Sequence, residues 1–161
     1  YAHYIYLVPA SSFSKIVWSN LEIVCKVLVE SLFIFGVVCA ITGEHPLVAV
    51  FCGLVYTLFS LLLLGVNYLS LRLTGADLSA GLLVFIYIVA VVLIMLPGIA
   101  LAFVTGVFLV SAFLSAPAPL GLLAGLAVLA VWELAAALVC FALSRSALHN
   151  CDMPVIKPRG Q

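Results

Sequence analysis

The chain has 161 residues, 67% of them hydrophobic and 7% charged, with six Lys and Arg balanced by six Asp and Glu. Soluble domains carry about 25% charged residues, so a water-soluble fold is excluded and a polytopic membrane protein is indicated. A net charge of zero leaves no basic field to attract nucleic acid, and nucleic-acid binding is excluded with it.

Residues 1–26 mix aromatics, serines, Pro9 and charges, the pattern of an amphipathic segment at the bilayer interface before the first span. Residue 1 is Tyr, with no charged leader and cleavage site behind it, and the chain reads as part of a longer protein. Ser11, Ser12 or Ser14 is placed to cap a helix starting near Phe13. Phe13, Ile16, Val17, Trp18 and Leu21 then share one helical face, with Trp18 suited to the headgroup level. Such a helix is either a plain interfacial anchor or an element that docks a cytoplasmic partner.

The first span is expected over residues 27–41, borrowing residues 21–26 with Glu22 and Lys26 snorkelling, because fifteen residues alone are short for a core of about 30 Å. Glu30, four residues after Lys26, is expected to pair with it at the interface. Gly43 and Pro46 punctuate a turn. The second span, residues 47–70, is free of charge. Asn67 near its end serves either an interhelical hydrogen bond or a polar pathway. Residues 71–80 form a short polar connection.

Residues 81–116 carry no charge and would extend about 54 Å as one helix. Pro97-Gly98 near the middle predicts a kink or a break, making a hinge there and leaving either two full spans or one span plus a re-entrant piece. Loop charge chooses between them. With one net crossing, Lys15, Lys26, Arg72, Arg145, Lys157 and Arg159 all fall on one side and no Lys or Arg on the other. That side is the cytoplasm, with both ends of the chain in it. The last span, residues 120–143, holds Gly121 and Gly125 at the spacing that lets helices approach closely. Residues 144–161 form a cytoplasmic tail.

The expected fold is therefore an all-α membrane bundle of about four crossings, with a broken or re-entrant third segment and an N-terminal interfacial helix. Glu133 falls near the middle of the last span, where a carboxylate must be neutralised, paired or turned to water. It is either a pathway residue or a hydrogen-bonding strut, with Asn67, Tyr56 and Thr105 as candidate partners.

His3, His45 and His149 are split between the two sides, so no metal site is expected, and Glu44-His45 and His149-Asn150-Cys151-Asp152 lack the third group of a catalytic arrangement. The five cysteines show no ligand spacing and read as small apolar residues. No GxxxxGK[ST] loop or GxGxxG turn is present, so no cofactor is expected on this chain, nor enzymatic activity.

Tyr4-Ile5-Tyr6-Leu7-Val8-Pro9-Ala10-Ser11, followed by Phe13, Lys15 and Trp18, resembles the opening motif of a bacterial family of ABC exporter membrane subunits, ABC-2-like permeases. Leu148-His149-Asn150 with Asp152-Met153-Pro154, and Asn67 followed by Arg72-Leu73-Thr74-Gly75, are similar to later signatures of that family. Ser12 and Ser14 depart from the family's Pro and Lys. The resemblance covers essentially the whole chain. It implies the C-terminal half of a larger permease, partnered by the N-terminal half and by a separate ABC ATPase that binds the ATP. Phe13, Lys15 and Trp18 then mark the coupling segment. The competing expectation is a membrane scaffold that transports nothing.

Overall fold

The computed structural model describes residues 12–74, 80–112 and 119–151. They form four helices: α1 (Ser12–Thr42), α2 (Pro46–Thr74), α3 (Ala80–Ala112) and α4 (Pro119–Cys151). Each contains a stretch long and apolar enough to cross a bilayer: Asn20–Thr42, Pro46–Ser70, Gly81–Ser111 and Leu120–Ser144. In lipid only a helix or a closed barrel satisfies its own backbone, so long uncharged runs take this form. Large apolar side chains such as Phe33, Phe85, Phe103 and Phe108 stay exposed on the bundle, an outer surface made for hydrocarbon.

A tight turn joins α1 to α2. Gly43 takes φ 71°, the left-handed conformation that ends helices, and its N–H still donates to the Cys39 carbonyl at 2.9 Å. His45 Nδ1 accepts from Leu47 N at 3.3 Å, and Pro46 opens α2, where its missing N–H is no loss. The two helices therefore run antiparallel.

The packing order is α1, α2, α4, α3. The closest packing is between α2 and α4; α4 wedges between α2 and α3, and α1 lies along the other side of α2. Between α1 and α2, Ser31 Oγ donates to the Gly53 carbonyl at 3.1 Å and lies 3.2 Å from Thr57 Oγ1, while Asn20 Nδ2 donates to Tyr68 Oη at 3.1 Å. Between α2 and α4, Leu62 and Val66 form a core with Ala137, Cys140 and Phe141. A Cβ on Gly65 would stand 3.1 Å from Cys140 Cβ, so the glycine sets that approach. Between α3 and α4, a Cβ on Gly121 would lie 3.0 Å from the Gly106 carbonyl, and one on Gly125 3.0 Å from the Ala102 carbonyl. Lipid offers no hydrophobic drive between helices, so these close backbone approaches and buried hydroxyl bonds hold the bundle.

Two expectations need correction. The segment before the first span is not a separate interfacial helix, because α1 is continuous from Ser12 to Thr42. The opening motif at residues 1–11, residues 113–118 and the tail from residue 152 lie outside the described residues. Nor does Pro97-Gly98 break the third segment: α3 is helical from Ala80 to Ala112. Its apolar stretch, Gly81–Ser111, is 31 residues long, more than a core of about 30 Å requires.

The neighbouring helix makes a bond beside the proline. Pro97 has no N–H for the Leu93 carbonyl, and one residue on, the Ile94 carbonyl accepts a 2.9 Å hydrogen bond from Trp132 Nε1 of α4. Gly98 leaves the space for that ring, since a Cβ there would stand 2.8 Å from Trp132 Cγ. Gly98→Val is expected to destabilise the bundle by about 1–3 kcal/mol through overpacking against a pinned ring. Thermal unfolding in detergent checks it, and Trp132→Leu in the same chain should restore part of the loss.

Candidate functional site

Ala130, Glu133, Ala137, Cys140 and Ser144 recur at three- and four-residue steps along α4 and are all buried. They form the face that α4 turns into the bundle. Four of the five are small, so helices pack closely around the one carboxylate. Glu133 is 1% exposed. Its Oε2 is buried and has no hydrogen-bond partner among the described residues.

None of the expected strut partners serves it. Thr105 Oγ1 donates to its own helix at the Leu101 carbonyl, and Tyr56 is exposed with its ring edge-on to Phe35 at 6.3 Å between centroids. Asn67 is exposed and stands apart from the buried core residues. A buried polar atom without a partner costs about 1–3 kcal/mol, which packing alone gives no reason to keep.

The helix contacts fix the depth of the charged groups. Asn20 bonds Tyr68 near the end of the second span, and Ser31 bonds Gly53 and Thr57 near its middle. Glu30, next to Ser31, is therefore level with the middle of the apolar stretch of α2, about 15 Å along α1 from Asn20. Lys26 Nζ lies 3.8 Å from Glu30 Oε1, so the expected pair forms. Gly65 against Cys140 sets α2 and α4 in register, and Glu133, nearly two turns back from Cys140, falls at the same mid-membrane level.

The two candidate pathway residues do not converge. Asn67 lines a groove of about 480 Å³ between the first three helices, with Ser60 of α2, Ile23 of α1 and Tyr87 of α3. Glu133 does not line it. A second groove, of about 520 Å³, runs along the α3–α4 seam between Phe103, Val107 and Val110 on one side and Leu122 and Leu129 on the other. Gly121 and Gly125 form part of its floor, where α4 meets Ala102 and Gly106 of α3.

At the N-terminal end, Trp18 is 70% exposed on α1. Phe13 and Lys15 belong to the same helix, and their side chains lie outside the described ones. Among the described residues no three His, Cys, Asp or Glu side chains gather as metal ligands. Sequence reasoning missed Trp132, the Ser31–Thr57 pair and the Asn20–Tyr68 bond. Only Ala102-xxx-Gly106, a second small-residue pair facing Gly121 and Gly125, was legible as spacing alone.

Residues 1–152 match the family described as "Putative ABC exporter". No curated protein matches the chain. No solved structure matches it either.

Proposed function

The chain belongs to this ABC exporter family, and on that premise we propose that it is the permease part of an exporter whose substrate is moved outward by ATP hydrolysis on a separate ABC ATPase subunit. The observation that carries the reading is the family match across residues 1–152. The absence of any phosphate-cradling loop from the sequence supports placing ATP on another polypeptide. Nothing in this reading asks the chain for covalent chemistry.

In this proposal the protein lies in the cytoplasmic membrane with both ends of the chain inside, as the one-sided distribution of Lys and Arg favours. The N-terminal half of the permease completes the bundle. The first turns of α1, with Phe13, Lys15 and Trp18, contact the ATPase. Because α1 is one helix to Thr42, a push at that end reaches the Ser31–Thr57 seam without passing through a joint. Glu133 is the polar group on which the translocation pathway acts, while Asn67 lines a separate groove between the first three helices. Pro97 and Gly98 act as a hinge only while Trp132 is released from the Ile94 carbonyl.

Isolation of the full-length protein from membranes in mild detergent tests the reading. An ATP-hydrolysing polypeptide is expected to co-purify in fixed proportion and to be lost on Trp18→Glu. A folded protein that retains no ATPase would contradict the proposal and favour the scaffold.

A further inference from the structure

The groove along the α3–α4 seam leads toward the buried carboxyl of Glu133. At about 520 Å³ it has the volume of a pocket for a drug-sized molecule. Phe103, Val107, Val110, Leu126 and Leu129 wall it, and the one hydroxyl on its lining, that of Ser111, donates to the Phe108 carbonyl at 2.9 Å. The side chains of the groove therefore offer a ligand apolar contact and little else. Leu129 is the last wall residue on α4, and Glu133 follows four residues on, one turn or about 6 Å along the same side of that helix.

Glu133 needs a counter-charge that the described residues do not supply. It is 1% exposed, and its Oε2 has no partner among them. The core packed against this face of α4 brings Leu62 and Val66 from α2 and Ile94 and Met95 from α3, all uncharged. The basic side chains among the described ones are Lys26, held by Glu30 at 3.8 Å on α1, and His45 in the turn between α1 and α2. Arg145 enters α4 twelve residues past Glu133, about 18 Å along the helix. With neither water nor a cation beside it, a carboxyl at this depth holds its proton until positive charge arrives from elsewhere.

We propose that the groove and Glu133 are one binding site, and that its ligand is a lipophilic organic cation, the apolar body lying in the groove and the charge paired with the carboxylate. The argument is charge complementarity. Apolar walls favour an apolar body, and an unpartnered acid one turn beyond them favours the positive sign. A lipid acyl chain would fill the groove equally well but has no use for Glu133, and an anion would be repelled. To reach the carboxyl the cation turns aside Leu129, which lies between the two along α4. As it pairs, the carboxyl O–H releases its proton to water, so the site is neutral before and after. The inference rests on the exporter reading in one respect, that it makes this cation the cargo.

Equilibrium dialysis of the full-length protein in phosphatidylcholine nanodiscs, with empty discs subtracted, tests it with two probes of one shape and opposite charge, tetraphenylphosphonium and tetraphenylborate. The phosphonium should bind saturably and the borate should not. Glu133→Gln should weaken phosphonium binding about thirtyfold or more, as removing one partner of a buried charge pair does, and Glu133→Asp should restore part of it. Val107→Trp fills the groove from its wall and leaves the carboxyl in place; it should weaken binding as well. Thermal melting of each variant checks that it is folded. Equal binding of the two ions, phosphonium binding undiminished in Glu133→Gln, or binding untouched by Val107→Trp overturns the proposal. Absence of phosphonium binding from a protein that still co-purifies with its ATPase overturns it and leaves the exporter reading standing. Binding that depends on Glu133 in a protein without an ATPase supports the site and counts against the exporter reading alone.

Discussion

Gly121→Leu is expected to part α3 from α4. At this position the backbones touch: a Cβ would already lie 3.0 Å from the Gly106 carbonyl and against the Val110 side chain. A flexible neighbour could rotate away, but a carbonyl in a helix moves only with its helix. The expected destabilisation is about 3 kcal/mol, the upper part of the range for overpacking. Gly125→Leu, facing the Ala102 carbonyl, should act in the same direction, and the two changes should be less than additive because they spread one seam. Unfolding by graded denaturant in mixed micelles measures both. A Gly121→Leu protein as stable as wild type would mean that the α3–α4 seam does not hold the bundle.

The second large effect is at Glu133, where stability and activity should move in opposite directions. Were the residue a hydrogen-bonding strut, Glu133→Leu would lose about 1–2 kcal/mol of helix association. With Oε2 unpartnered in a packed core, the sign reverses. Replacing a buried group that lacks a partner with an apolar one of similar size is expected to stabilise by about 1–3 kcal/mol. Glu133→Gln keeps the shape and should leave the fold near wild type. Both variants should still bind the ATPase and yet lose substrate-stimulated ATP hydrolysis, the stability-for-function exchange seen where an active group is held in an unfavourable place. Thermal melting and ATPase stimulation, read on the same preparations, decide it. Full stimulation in Glu133→Gln would remove the carboxylate from the pathway.

How much of this was written in the sequence differs from residue to residue. The four crossings were legible because long apolar runs with few or no charges leave the backbone little other option. Glu133 was legible as a lone charge within such a run, and Gly121 and Gly125 as a spacing. The start of the first span was not. Lys26 and Glu30 read as interfacial because charge ordinarily marks the interface, and only the bonds from Asn20 to Tyr68 and from Ser31 to Gly53 show how that part of α1 lies along α2.

The break expected at Pro97-Gly98 failed for a related reason. A breaker was read from its own stretch of sequence, while the group packed beside it, Trp132, lies 35 residues further on in another helix. Hydropathy is also nearly uniform around α3, so no amphipathic stripe shows which face packs and which meets lipid. In a bundle of this kind the faces are marked by small residues and by rare polar ones. Their pairing is a tertiary fact.

The division of labour between this chain and a nucleotide-binding partner is the centre of the account, and photo-labelling with an azido analogue of ATP tests it most directly. The complex isolated from membranes would be irradiated with the analogue, with and without excess ATP, and its polypeptides separated. The account predicts ATP-protected label on a separate co-purifying subunit and none on this chain. Protected label on this chain, or a complex in which no polypeptide is labelled, would contradict it.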